Sequence, residues 1–301
     1  MDKRKTGIAL FITLMVIASI MSIIAVSFTY LEKVQKDAGS TSALIQANLL
    51  YSDTVAILKR VFPPATDNGE KLAVIYTMPM MLTEDKSGFS INLTCKPLMV
   101  AAPITWLDPS KTKKMPEKTT ITKEVLANVM ALYEIEDPSG LEELILEAIT
   151  GKRVQNLDYE PRLQQQKGIV SRAQFNQILL TYAFMYDDQK ALTIPWEKYF
   201  SFVPIDNRTK IDGHYLSPEF ISMAFDIPIE IVQDGWVMGE STLSTFLQEN
   251  GIVQAVNNKI YSQKALNSLS CEETFAYKEE QYTYKFNYIE GRSTNFEFNG
   301  H

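Results

Sequence analysis

The residues of this chain that could do chemistry are few and lie far apart in the sequence. His214 and His301 are its only histidines, and no H-E-x-x-H, nucleotide-binding glycine loop or G-x-S-x-G motif occurs. A Ser-His-Asp set would have to be built around His214 alone. Adjacent acids such as Asp187 and Asp188 point apart on a helix, so they form no site by themselves. The sequence therefore predicts a protein that is not an enzyme and has no catalytic residues.

Three acids and two cysteines are the remaining candidates for a cluster. Asp206, Asp212 and Glu219 could meet around a calcium ion, although a solvated loop and a helix cap are the simpler interpretation. Cys95 and Cys271 belong to no C-x-x-C pattern, which argues against zinc and redox motifs. A disulfide in an oxidising compartment and two buried thiols both fit them. The sequence predicts no resident cofactor, with calcium left open.

The composition excludes two further classes of protein. Of the 301 residues, 46% are hydrophobic, and the formal charge of −7 accompanies a pI near 5.1. An acidic chain lacks the basic face that neutralises nucleic-acid phosphates, so no nucleic-acid partner is expected. The mean hydropathy of −0.09, with a single long apolar stretch, argues against a protein that crosses a membrane many times.

The long apolar stretch lies at the N-terminus. Ile8 to Phe28 carries no charge, and at ~1.5 Å per residue it makes about 32 Å of helix, enough to cross a bilayer. Lys3, Arg4 and Lys5 precede it, and basic residues stay on the cytoplasmic side. The sequence thus predicts a single-pass protein of the bacterial inner membrane, with its N-terminus in the cytoplasm and its head in the periplasm.

Three interpretations of this stretch stay open: a signal peptide cleaved near Ala25, a permanent signal anchor, and a prepilin leader with its helix. The order Lys-Arg-Lys-Thr-Gly followed by Ile-Ala-Leu-Phe resembles the start of a type IV prepilin or pseudopilin. That resemblance implies a leader over residues 1–7, cleavage by a prepilin peptidase between Gly7 and Ile8, and methylation of Ile8 as the new N-terminus.

A missing glutamate narrows the resemblance. Most pilin-like subunits have glutamate as the fifth residue of the mature chain, where this sequence has Ile12. A carboxylate in a membrane is costly, and it is normally kept to neutralise the terminal amine of the neighbouring subunit. A subunit at the tip of the fibre has no neighbouring subunit above it, and so no terminal amine to neutralise. With Ile12 at this position, the chain resembles the K-type minor pseudopilin of type II secretion systems, the one known exception that lacks this glutamate.

The hydrophobic pattern predicts an α+β fold. Apolar residues recur every three or four positions up to Phe62, and Pro63 ends the helix because proline lacks an amide donor. The predicted parts are a transmembrane and spine helix over 8–62, a small antiparallel strand core over 65–107 and 271–301, and a large α-helical insertion over 120–255.

Shorter patterns predict individual elements within these parts. Strands are expected at 71–78, 88–95 and 196–205 and in the aromatic tail, where Glu290 and Gly291 begin a hairpin turn. Residues 108–118 are expected to be a solvated, lysine-rich loop. Helices are expected to begin at the caps Ser139, Ser171 and Ser217.

This layout again resembles the K-type minor pseudopilins, in which a helical insertion divides a small pilin-like core. The resemblance implies a subunit that helps initiate and cap the pseudopilus tip with other minor pseudopilins, after processing by a prepilin peptidase and extraction by an inner-membrane assembly platform. Residues 211–219 resemble the family's Ile-Asn-x-Asn-Thr-Ala segment only loosely, and its acidic Asp-Trp-x-Asp stretch is missing. A minor pilin of a type IV pilus and a signal-anchored periplasmic sensor or enzyme remain the alternatives.

Overall fold

The computed structural model describes residues 21, 41–64, 66–84, 89–151, 168–204, 209–252, 256–277 and 280–299. The predictions for the leader, for Gly7, Ile8 and Ile12, for most of the apolar stretch and for Asp206 lie outside these residues. Within the described ranges, no helix has the length and apolar character needed to cross a membrane. The predictions about processing and membrane insertion therefore stay predictions.

Ten α-helices, two 3₁₀ helices and nine strands are found in the described ranges, and the 3₁₀ helices are Ile104–Leu107 and Trp196–Lys198. The helices are α1 (41–61), α2 (Gly69–Thr77), α3 (Pro109–Thr112), α4 (Pro116–Leu132), α5 (Pro138–Thr150), α6 (Arg172–Tyr186), α7 (Lys190–Thr193), α8 (Pro218–Phe225), α9 (Ile229–Gly235) and α10 (Leu243–Glu249). The strands are β1 (Met80–Glu84), β2 (Phe89–Pro97), β3 (Ala102–Pro103), β4 (Phe200–Ser201), β5 (Ile211–Asp212), β6 (Tyr261–Ser262), β7 (Ser268–Tyr277), β8 (Glu280–Ile289) and β9 (Arg292–Asn299). The structure combines many helices with a small antiparallel sheet, which agrees with the predicted α+β class.

Five of the strands form one antiparallel sheet in the order β1-β2-β7-β8-β9. β2 and β7 are neighbours in space although a long block of helices, 98–267, lies between them in sequence. The turn from β8 to β9 is at Glu290 and Gly291, as predicted, and both residues have positive φ, 44° and 84°. Such a turn matches the right-handed twist of the strands that it joins.

Helix α1 lies against this sheet. The buried apolar residues of α1 lie on one side of the helix, at spacings of four, three and eight positions: Ala43, Ala47, Leu50 and Leu58. The helix ends at residue 61, and the next amide, that of Phe62, still donates to the Leu58 carbonyl. Pro63 has no amide to continue the pattern, so the predicted end of the helix is confirmed.

The buried apolar side chains form two groups. The sheet core lies between α1, α2 and the sheet, and every second residue of β8 belongs to it: Tyr282, Tyr284, Phe286 and Tyr288. The ring of Tyr51 on α1 lies 5.3 Å from that of Phe286, so the aromatic strand packs on α1. The block core lies among α4–α10 and contains all three tryptophans.

Several predicted elements were wrong. Residues 71–78 form most of α2, because Leu72 and Ile75, three residues apart, both enter the sheet core. The strand expected over 196–205 is a short 3₁₀ helix followed by the two-residue β4, because bulky side chains at unevenly spaced positions all turn into the block core. Residues 108–118 contain α3 and the start of α4.

Two details of the predicted caps and loop also differ. Helix α5 is capped by Asp137, whose side chain accepts a hydrogen bond from the Gly140 amide, and Ser139 lies inside the helix. Lys118 is buried: its Nζ lies 4.5 Å from the Trp106 ring centroid and donates to the Thr209 carbonyl. The caps predicted at Ser171 and Ser217 are confirmed, since each side chain accepts a hydrogen bond from an amide in its helix.

Candidate functional site

The predicted cation ligands that the structure describes have other partners. The two carboxylate oxygens of Asp212, which is 1% exposed, accept hydrogen bonds from the amides of His214 and Leu266 at 2.9 and 2.8 Å. Glu219 accepts from Lys198 Nζ at 2.6 Å. Within the described residues, no three His, Cys, Asp or Glu side chains are placed to hold a metal ion.

Asp212 connects the helical block to the sheet. Its carboxylate holds the amide of Leu266, two residues before β7, and its own amide donates to the carbonyl of Met99, two residues after β2. Burial raises the pKa of Asp212 to about 6, and the amides that donate to it limit the rise. The His214 ring contacts the carbonyl oxygen of Gln263 at 3.0 Å. Among the described residues, the contacts of Asp212 and His214 join the helical block to the two ends of the sheet insertion, which is a structural role.

The two cysteines are joined by a disulfide. Cys95 on β2 lies directly opposite Cys271 on β7 in the antiparallel register, and their sulfur atoms are bonded. Both are buried in the sheet core, at 0% and 1% exposure. The bond links residues 176 positions apart, so it closes the chain around the entire helical block at the point where the block leaves and re-enters the sheet.

A glutamate is buried where α1 crosses the sheet. Glu273 on β7 is 0% exposed, and its Oε2 accepts a hydrogen bond from Thr54 Oγ1 on α1 at 2.7 Å. Its Oε1 has no assigned hydrogen-bond partner among the described residues, and the nearest polar side chain across the sheet is Tyr284, which pairs with Glu273 in the register of β7 and β8. Burial raises the pKa of Glu273, while its contacts with Tyr284 and Thr54 lower it by less. A carboxyl group thus lies in an otherwise apolar contact between helix and sheet.

The side of α1 that faces away from the sheet carries several large apolar side chains. Five of its large side chains expose between 39% and 59% of their surface: Leu44, Ile45, Leu49, Ile57 and Val61. A surface helix normally shows charged and polar residues there. Clustered apolar residues on a surface mark a site of interaction, so this side of α1 is the candidate functional site.

Two of these features could have been found in the sequence. Leu269, Cys271, Glu273 and Phe275 alternate along β7, so Glu273 falls on the buried face by the period of two. The amphipathic pattern of α1 was recognised in the sequence, but the pattern does not tell which of its apolar residues the sheet covers. Only the register between helix and sheet distinguishes the buried set from the exposed set.

The described elements define a fold: a helix docked on a small antiparallel sheet, with a helical block inserted between β2 and β7. This is the layout that the resemblance to pilin-like subunits predicts. No protein-family model and no curated protein matches the sequence. A solved structure matches the fold. It is a chain of the GspK–GspI–GspJ complex from the type 2 secretion system of enterotoxigenic Escherichia coli, with a TM-score of 0.54 at 10% identity, covering 87% of this chain and 99% of that chain. The predicted K-type minor pseudopilin fold is thereby confirmed as a fold.

Proposed function

We propose that this protein is a minor pseudopilin of a type II secretion system, which helps initiate and cap the pseudopilus tip and works by assembly rather than catalysis. The observation that carries the proposal is the fold similarity, which covers 99% of a chain from a complex of three such subunits. The helical block between β2 and β7 is part of that similarity, because 87% of this chain is covered.

The exposed side of α1 supports this function. A helix with one side on its own sheet and an apolar opposite side is suited to pack against helices of other subunits. We propose that these are other minor pseudopilins, as in the complex whose fold this chain resembles. The proposed route begins in the inner membrane, with cleavage at Gly7 by a prepilin peptidase and extraction by an assembly platform.

The disulfide supports a periplasmic location for the head. Disulfides persist in oxidising compartments, which include the bacterial periplasm, and are rare in the cytosol. Cys95 and Cys271 form such a bond in the sheet core. The basic residues before the apolar stretch predict the same topology.

The test is the intact mass and N-terminal sequence of the membrane-extracted protein, made with and without prepilin peptidase. The expected product lacks the first seven residues and carries a methyl group on Ile8. The matched control is Gly7→Val, which should stay uncut because the leader no longer ends in glycine. An uncut wild-type Met1, or a chain that begins at Phe28, would contradict the proposal. Loss of secreted proteins, rather than of pili, on deletion would distinguish it from a minor pilin.

A further inference from the structure

Five residues at four-residue spacing form a diagonal row on the exposed side of α1. They are Ile45, Leu49, Asp53, Ile57 and Val61, and this set is called the α1 row below. Its four apolar members are exposed by 59%, 58%, 48% and 39%, and Asp53 is exposed at the centre. Rows at this spacing are the ridges that pack into the grooves of another helix. The α1 row is therefore a helix-packing ridge with one carboxylate at its middle.

No cation lies three or four positions from Asp53 on its own helix, and Lys59 and Arg60 lie six and seven positions further along α1. The residues three and four positions away are apolar: Leu49, Leu50, Ala56 and Ile57. No ion pair of Asp53 with any residue in the described ranges is found. If another helix covered the row without providing a cation, the carboxylate would lose its water and gain no partner, which is strongly unfavourable.

The position of Asp53 also opposes pairing with a second copy of the chain. A symmetric dimer uses the same surface on both subunits, so a dimer centred on the α1 row would place the two Asp53 side chains against each other. This holds for parallel and for antiparallel helices, because Asp53 is the third of five residues. Two carboxylates brought together out of water repel, so the arrangement selects against the homodimer.

We infer that the α1 row is a docking surface for a helix of a different subunit, and that Asp53 determines its specificity. The partner helix has an apolar face that contains one lysine or arginine, which pairs with Asp53 when the row is covered. The class of partner, another minor pseudopilin, rests on the proposed function. Selection against self-pairing rests on the α1 row alone.

Self-pairing is measured first, by analytical ultracentrifugation of the full-length chain in detergent micelles. Asp53→Leu completes the apolar row and should tighten dimerisation by about tenfold over the wild type. The matched control, Lys59→Leu, also replaces an exposed charge on α1 by leucine but lies off the row, and it should behave as the wild type. Asp53→Arg mixed with the wild type should form a heterodimer about tenfold more stable than either homodimer.

Two outcomes of this experiment would overturn the inference. If Asp53→Leu dimerises no better than the wild type, the row is not a packing ridge. If Lys59→Leu gains as much as Asp53→Leu, any added apolar residue suffices and the row has no special role. Segments common to all variants contribute equally, so the comparison isolates the substituted position.

Hetero-pairing is measured by co-purification of the membrane-extracted chain with subunits that carry prepilin-type leaders. Asp53→Lys should lower their recovery about tenfold, and exchanging the basic residue of the partner's apolar face for glutamate should restore it. If the wild type and Asp53→Lys recover such subunits equally, the role of Asp53 is wrong while the proposed function stands. If the wild type recovers none, the assigned partner and the proposed function both fail.

Discussion

Loss of the Cys95–Cys271 bond should lower the free energy of unfolding of the sheet core by about 2–5 kcal/mol. The bond closes a loop with a sequence separation of 176. In the chain-entropy description the cost of such closure is about 2.1 + 1.5R ln n in cal/mol/K, which amounts to roughly 5 kcal/mol at 25 °C for a loop of this size. Measured values for disulfides are commonly about 2–4 kcal/mol, so the calculated figure is the upper end of the expectation.

The assay is urea unfolding of three samples: the oxidised protein, the protein reduced under native conditions, and the Cys95→Ala/Cys271→Ala variant. The reduced protein keeps both sulfur atoms and loses only the cross-link, so its difference from the oxidised protein measures the contribution of loop closure to the free energy of unfolding. The double alanine variant also loses the packing of two sulfur atoms that are 0% and 1% exposed. It should therefore be the least stable of the three.

The position of the tryptophans provides a second observable. Trp106, Trp196 and Trp236 all lie in the block core, within the closed loop, whereas the sheet core contains tyrosines and no tryptophan among its described residues. Tryptophan fluorescence reports on the block. Tyrosines lie in both cores, so the sheet is followed by amide hydrogen exchange of β7 and β8. Reduction should shift the sheet transition more than the block transition, because only the sheet needs both ends of the loop together.

Free energies of unfolding within about 1 kcal/mol of each other for the reduced and oxidised proteins would contradict this loop-closure explanation. Loop closure does not depend on how well the sulfurs pack. A small difference would mean that β2 and β7 stay associated in the unfolded state without the cross-link, which is a property of the denatured chain.

Two further predictions concern single residues of the head. Glu273→Gln should raise the free energy of unfolding by about 1 kcal/mol at pH 7, because glutamine has no ionisable group whose charged form is disfavoured by burial under α1. Since the pKa of Glu273 is raised in the folded state, its favourable contribution is complete below the unfolded pKa and is lost as the pH rises through the folded pKa; urea unfolding between pH 4 and 8 should show a smaller fall for the variant. Gly213→Ala should lower the melting temperature by several degrees, because a Cβ there would overlap the Ser262 carbonyl oxygen, whereas the control Gly69→Ala, with an ordinary 3.6 Å contact, should change it little. Equal melting temperatures for the two glycine variants, or a parallel pH dependence for Glu273→Gln and the wild type, would contradict these explanations.

The local elements of the helical block were largely predictable. Helix starts at Ser171 and Ser217 follow from a hydroxyl that accepts an amide hydrogen bond, which is an interaction between residues three apart. Helix α9 was not predicted: its seven residues follow Pro228 and contain too few apolar positions to show a period. Only Val232 of this helix enters the block core, together with the following Trp236.

The segment 71–78 shows why other elements could not be predicted. A short apolar run rich in β-branched and aromatic residues is compatible with a buried strand or with a short helix. Here Leu72 and Ile75 both face the sheet, and Met78 and Pro79 turn the chain into β1. The segment is helical because it packs on the sheet through Leu72 and Ile75, which only a helix brings to the same side, and its own propensity does not decide this.

Local sequence is enough to place the end of α1 before Pro63, the caps of α6 and α8 and the hairpin at Glu290, because each depends on residues a few positions apart. The state of Cys95 and Cys271 does not follow from it. The opposition of these two cysteines, the contact of Glu273 with Thr54 and the uncovered side of α1 appear only in the folded structure. Each of these depends on the pairing of segments about 200 residues apart, and that register is set by the packing of the sheet core as a whole.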